Sequence, residues 1–206
     1  MAAASPSIAS ASAAESSAPD HLAASPSRRP SAPEAAVAPA APAPTDSPTP
    51  AAPPAFGPPR PVRLLIPSLN LDAAVEGVGL DGSGAMGTPQ NPWNVGWYNP
   101  GPAPGAGGDA VIDGHLGLPG YPLVFSGLGK LRLGDLITVL RSDGVRSEFA
   151  VRSMASWPAN SHPPGLFDPS GAPRLSLITC TGSYSGGSQT YADRLVVEAR
   201  WVGTGA

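Results

Sequence analysis

The feature that most restricts what this chain can fold into is the spacing of its apolar residues after Pro61. They fall in about eight short runs, each closed by glycine, proline, asparagine or aspartate. No run carries the 3.6-residue period of a long amphipathic helix. Many short strands between turn signals make a mainly β domain, a sandwich or a barrel. "VRLLIP" (Val62–Pro67) opens the series and "LDAAVEGVGL" (Leu71–Leu80) follows. "DGSGAMGTPQNPWN" (Asp81–Asn94) reads as turn material, and "VGWYNPGPAPGAGGD" (Val95–Asp109) as a short aromatic stretch with a long loop. "AVIDGHLG" (Ala110–Gly117) reads as a strand running into His115. Tyr121–Asp135 is apolar at irregular spacing and accommodates one helical turn. Leu136–Trp157 reads as two strands joined at "SDG", a hairpin signal. A five-proline loop, Pro158–Pro173, precedes the strand "RLSLITC" (Arg174–Cys180). A polar loop (Thr181–Asp193) and a closing strand "RLVVEARWV" (Arg194–Val202) complete the chain.

The residues before this series are of another kind. Residues 1–61 hold 15 of the 28 prolines, and their branched aliphatics are Ile8, Leu22 and Val37 alone. Such a segment cannot bury enough apolar surface to offset the entropy of ordering it. It is expected to be a disordered Ala/Pro/Ser-rich tail or linker with polyproline character, leaving 62–203 as one folded domain. The formal net charge is -3 and no basic stripe is visible, which argues against nucleic acid as a partner. No run of about 18 apolar residues marks a transmembrane helix. "MAAASPSIASASAAE" lacks the basic and apolar regions of a signal peptide.

Cys180 is the single cysteine, so an internal disulfide and a multi-cysteine zinc site are both ruled out. A lone thiol is either an inert core residue or a nucleophile. A nucleophile needs a proton-transfer partner, access, and a holder for the oxyanion. His115 and Arg194, like Cys180, stand at the ends of apolar strands, where a rigid scaffold positions side chains within reach of a ligand. Spacing alone leaves the plain alternatives open: His115 capping a turn, Arg194 paired with Asp193 or another carboxylate. Asp113, two residues before His115 on an alternating strand, is the one candidate to orient it. His162 reads as a surface histidine and His21 belongs to the tail.

Three blocks, "AVIDGHL", "LSLITCTG" and "YADRLVVEA", occur in an order that resembles the sortase family. "RLLIPSLNLDAAVEGVGLD", "GWYNPGPAPGAGGDAVIDGHL" and "VFSGLGKLRLGDLITV" resemble the segments around them, so the likeness covers nearly all of 62–202. The "GWY" and "TCTGSY" elements look most like class F sortases of high-GC Gram-positive bacteria, with class E next. The resemblance implies an eight-stranded β-barrel with short helical turns and an extracytoplasmic, cofactor-free, monomeric enzyme. It implies that Cys180 attacks the Thr–Gly bond of an LPxTG-like sorting signal and that an amine acceptor resolves the thioacyl intermediate. His115 would protonate the leaving amine, and Arg194 would hold the carbonyl or oxyanion. Ser176 and Thr179 are candidates to line the substrate groove, and loop 158–173 to form its wall. Sortases usually carry an anchor or signal sequence, and the family's implied location therefore stands without a visible export signal. Two other functions remain open on the sequence: a catalytically silent wall-associated module, and a cysteine peptidase that only hydrolyses.

Overall fold

The computed structural model describes residues 59–205. The expectation for residues 1–61 therefore lies, except for its last three residues, outside the described part. Within it the chain is mainly β, as the run pattern predicts. The strands are β1 (Pro61–Ile66), β2 (Leu71–Val78), β3 (Val95–Tyr98), β4 (Asp109–Gly114), β5 (Gly117–Leu118), β6 (Tyr121–Pro122), β7 (Leu136–Arg141), β8 (Arg146–Pro158), β9 (Arg174–Ser185) and β10 (Thr190–Gly205). Eight of them close into a barrel in the order β1-β2-β3-β4-β9-β10-β8-β7, and β5 and β6 form a separate two-stranded ribbon. Two 3-10 turns, Pro67–Leu69 and Leu128–Lys130, supply the helical content, the second falling where one helical turn is expected.

Alternation decides which face of each strand is inside. In β4, Ala110 and Ile112 join the core, so Asp109, Val111 and Asp113 lie on the outer wall. In β9, Leu175 and Leu177 point inward, which places Ser176, Ile178 and Cys180 outward. Phe125, Phe149, Ile137 and Leu64 are fully buried within the barrel. Each such side chain stabilises the fold by roughly 1.5–3 kcal/mol relative to exposure.

Several boundaries differ from the sequence reading: the strand expected over Ala110–Gly117 ends at Gly114, and the closing strand runs on to Gly205. The segment Thr181–Asp193, expected as a loop, is mostly strand: β9 runs on to Ser185 and β10 begins at Thr190. Thr190 pairs with Ser185 and Tyr191 with Tyr184, with a bulge between Tyr191 and Asp193. Cys180 and Arg194 therefore sit inside long strands rather than at their ends. This β9–β10 extension contributes no fully buried side chain, so it shows none of the apolar alternation that marks a strand in sequence. At the other end of the domain, β1 starts at Pro61, and the Arg60 backbone exchanges hydrogen bonds with Ser142.

Candidate active site

β4 and β9 lie side by side and parallel, with Asp113 opposite Ile178. Continuing that register by two residues brings His115, just past β4, level with Cys180. The junction is pinned from several sides. Thr179 donates its hydroxyl to the Gly114 carbonyl at 2.8 Å. The Phe125 amide donates to the His115 carbonyl at 2.9 Å. Residue 114 must be small, because a Cβ there would stand 2.5 Å from the Phe125 ring. Tyr191 donates its hydroxyl to the Gly117 carbonyl at 2.9 Å, tying the β9–β10 ribbon to the segment after His115.

Arg194 is the direct cross-strand partner of Cys180. Such pairs share a face of the sheet with Cβ atoms about 4.5–5.5 Å apart. Across its other edge Arg194 is paired with Trp157 of β8. Its Nη1 donates to the backbone carbonyls of Tyr191 and Asp193, at 3.2 and 3.1 Å. Among the described residues it forms no ion pair, so the anticipated pairing with the Asp193 carboxylate is replaced by bonds to backbone. A guanidinium offers five N–H groups, and with two used for anchoring about three remain for a ligand.

Two clefts meet at this point, and His115 and Cys180 line both. The larger, about 380 Å³, also holds Arg194, Thr179, Asp113, Trp157, Ile178 and Val196, with Met86 and Thr88 from the β2–β3 connection and Pro163, Leu166 and Phe167 from the β8–β9 connection. The smaller, about 270 Å³, is walled by Leu116, Leu118, Leu123, Tyr184 and Tyr191. Cys180 is partly accessible rather than sealed in the core. His162 is exposed and absent from both clefts.

Of the two candidate groove residues, Thr179 borders the larger cleft, although its hydroxyl is engaged by Gly114. Ser176 does not line either cleft. It is buried, and its hydroxyl lies 3.0 Å from both carboxylate oxygens of Asp109. Burial pushes Asp109 up to about 6, against the opposing pull of the Ser176 hydroxyl and Arg174. Around this pair the β8–β9 connection is fastened to the barrel. The Asp109 amide donates to the Asp168 carbonyl at 2.8 Å, and the Gly108 amide to Gly171 at 3.1 Å. Arg174 reaches the Gly165 carbonyl at 3.3 Å. Phe167 packs edge-on against Tyr98, with ring centres 5.0 Å apart.

Asp113 lines the larger cleft but makes no hydrogen bond to His115, so the structure gives no support to its orienting role. Its Oδ1 is buried without a partner, and burial raises its carboxyl to about 7. Sequence reasoning overlooked Met86 and Thr88, which sit in a segment that reads only as turn. The burial of Asp113 did have a signal in the sequence, an acidic residue near the end of an otherwise apolar strand. Among the described residues no group of acidic, histidine and cysteine side chains is arranged to hold a metal ion.

Barrel order and cleft together define an eight-stranded closed β-barrel that carries a thiol, an imidazole and a guanidinium on its outer wall. The chain belongs to the sortase family: the Sortase domain model matches residues 64–202. Among curated proteins no sequence matches it. Solved structures similar to it include sortase C1 of Streptococcus agalactiae in complex with MTSET, with a TM-score of 0.53 at 22% identity over 68% of each chain. Another structure of sortase C1 from that species gives 0.52 at 25% identity, over 68% of this chain and 66% of that one. A sortase C1 from Streptococcus suis gives 0.54 at 21% identity, over 71% and 75%.

Proposed function

We propose that the protein is a cysteine transpeptidase that cleaves an LPxTG-like sorting signal between Thr and Gly and transfers the acyl part to an amine. The observation that carries this reading is the cross-strand pairing of Cys180 with Arg194 at a cleft that His115 also lines. The Cys180 thiolate adds to the scissile carbonyl, and the free N–H groups of Arg194 bond the oxyanion. Donors aimed at developing charge are worth most in a partly dry site. His115 gives a proton to the departing glycine amine as the C–N bond breaks, leaving a thioacyl enzyme. The acceptor amine then attacks that thioester, His115 takes its proton, and Cys180 leaves as thiolate.

The larger cleft suits the acyl part of the peptide, since it is mostly apolar and holds Arg194. The smaller cleft lies beyond His115 and suits the leaving group and the incoming amine. The reading includes an extracytoplasmic, monomeric protein acting on secreted proteins and a peptidoglycan-linked or pilin-like amine, and no nucleic acid. Its "GWY" and "TCTGSY" elements support class F or a class E-like sortase.

Incubation with a panel of sorting-signal peptides tests the reading by mass spectrometry. The expected result is an acyl adduct on Cys180, discharged to a new amide when an amine is added. Adduct formation followed only by release to water would make the protein a peptidase. Absence of any adduct, with Cys180 inert to a thiol reagent, would make it a silent module.

A further inference from the structure

The smaller cleft lies between two unlike walls. On one side the segment after His115 doubles back: the Leu123 amide donates to the Leu116 carbonyl at 3.1 Å, and Gly117 pairs with Pro122 in the β5–β6 ribbon. Gly117 is held at a left-handed φ of +94, where a Cβ would overlap the Tyr121 carbonyl. On the other side stand Tyr184 and Tyr191 of the β9–β10 extension, with ring centres 5.1 Å apart. Among the described residues one side-chain hydrogen bond joins these walls, from the Tyr191 hydroxyl to the Gly117 carbonyl at 2.9 Å. The same residue also braces the larger cleft, since its backbone carbonyl accepts from Nη1 of Arg194 at 3.2 Å. A register shift falls between Tyr191 and Asp193, and bulges re-aim the side chains beside them.

The two half-reactions depend on this cleft unequally. During acylation the leaving amine is still joined to a peptide held in the larger cleft, so its position is largely set before it enters the smaller one. The acceptor amine arrives as a separate molecule and has only the smaller cleft to orient it. Water needs no such fit. No Lys, Arg, Asp or Glu lines the smaller cleft, whose walls are mainly leucine side chains and the two tyrosine rings. An amine entering there is placed by the shape of the cleft rather than by an ion pair.

We propose that Tyr191 is a positioning residue for the second half-reaction: its hydroxyl holds the Gly117 wall at the spacing an acceptor amine needs, and so favours aminolysis of the thioacyl enzyme over hydrolysis. The proposal rests on the transpeptidase reading, which supplies the thioacyl enzyme. In aminolysis the neutral amine adds to the thioester carbonyl, His115 takes one N–H proton, the C–S bond breaks and Cys180 departs as thiolate. In hydrolysis water takes the place of the amine through the same steps. Without the hydroxyl the Gly117 carbonyl loses that donor and the two walls are no longer joined. The amine then loses its fit, while water does not.

The test compares the full-length protein with its Tyr191→Phe variant, using a sorting-signal peptide that acylates the wild type and either triglycine or Nα-acetyl-lysine amide as acceptor. Phenylalanine keeps the ring beside Tyr184 and removes only the donor. Amide and acid arise from one thioacyl enzyme, so their ratio does not depend on how much of the protein is folded. In Tyr191→Phe the amide-to-acid ratio should fall at least about fivefold, with the half-saturating amine concentration rising by a similar factor. Acylation, followed as adduct formation without an acceptor, should stay within about twofold of wild type. A ratio that stays within about twofold, whether or not the melting temperature drops, would overturn the proposal. A loss of acylation as large as the loss in ratio would make Tyr191 a general support of the site and overturn its selective role. With amide still formed, either result leaves the transpeptidase reading standing and removes only the role of Tyr191. A wild-type adduct that neither amine discharges would overturn the proposal and leave a peptidase. If no peptide of the panel acylates the wild type, the transpeptidase reading itself fails and the role of Tyr191 falls with it.

Discussion

At the residue scale, the candidate chemistry depends on how Arg194 is held. Its Nη1 bonds two carbonyls while the rest of the fork stays free. Lysine keeps the charge but not the planar geometry, and its single ammonium cannot anchor to backbone and meet an oxyanion at once. Arg194→Lys is therefore expected to slow peptide cleavage at least about tenfold, or about 1.4 kcal/mol. Cys180→Ser should retain little activity and Cys180→Ala none, because a serine hydroxyl is a poor nucleophile without a strong base. Single-turnover rates with a quenched sorting-signal peptide measure all three. A rate near wild type for either cysteine variant would remove the mechanism. A mild Arg194→Lys effect would assign oxyanion stabilisation to backbone donors. The cysteine and arginine were legible as candidates from their residue types and apolar contexts. Their direct pairing was not, because nothing in "LITCTG" or "ADRLVV" states a cross-strand register.

At the element scale, the β8–β9 connection stays in place through a buried polar seat rather than through regular structure. Ser176 and Asp109 are the centre of that seat, with Arg174 and Glu198 the charged groups around them. The folded protein holds the Asp109 proton more tightly than the unfolded chain does. Its contribution to stability therefore declines as pH rises from about 4 and levels off above about 6. The Ser176 hydroxyl limits that loss by bonding the ionised form. Ser176→Ala should then cost little near pH 4.5 and about 1–3 kcal/mol at pH 7.5, where a buried carboxylate loses its donor. Thermal melts across that range give the answer, and a pH-independent difference would show that the hydroxyl matters only for packing. The strands themselves were legible wherever one face is buried, as in "AVIDG" and "LITVL". The ribbon from Thr181 to Asp193 was not. Gly182, Gly186 and Gly187 read as loop, yet Gly182 adopts a left-handed φ of +81 within a strand whose neighbour, Asp193, leaves no room for a Cβ. Ser176 was misleading for a related reason: alternation places it outside the barrel, but not whether a loop then covers it.

At the scale of the whole molecule, the composition before Pro61 and the barrel after it belong to separate parts of the chain. A truncated protein beginning at Pro59 should cleave sorting-signal peptides within about twofold of the full chain, since the composition of the removed segment is too poor in branched aliphatic and aromatic residues to supply a core. It must keep Arg60, whose backbone bonds Ser142 at the seam between β1 and β7. Loss of folding or activity in that protein would show that the proline-rich segment takes part in the domain. The strand order could not be read from the sequence, because adjacency in a closed barrel is decided by which long-range pairings bury the most surface. The parallel contact of β4 with β9 is the pairing that brings His115 level with Cys180, and it has a consequence in time. A polypeptide made from its N-terminus exposes His115 well before the thiol exists, and Arg194 comes later still. Until β9 slots between β4 and β10, His115, Cys180 and Arg194 belong to stretches of chain that are not paired with one another. Whatever the order of folding, the candidate site exists only once that wall is complete.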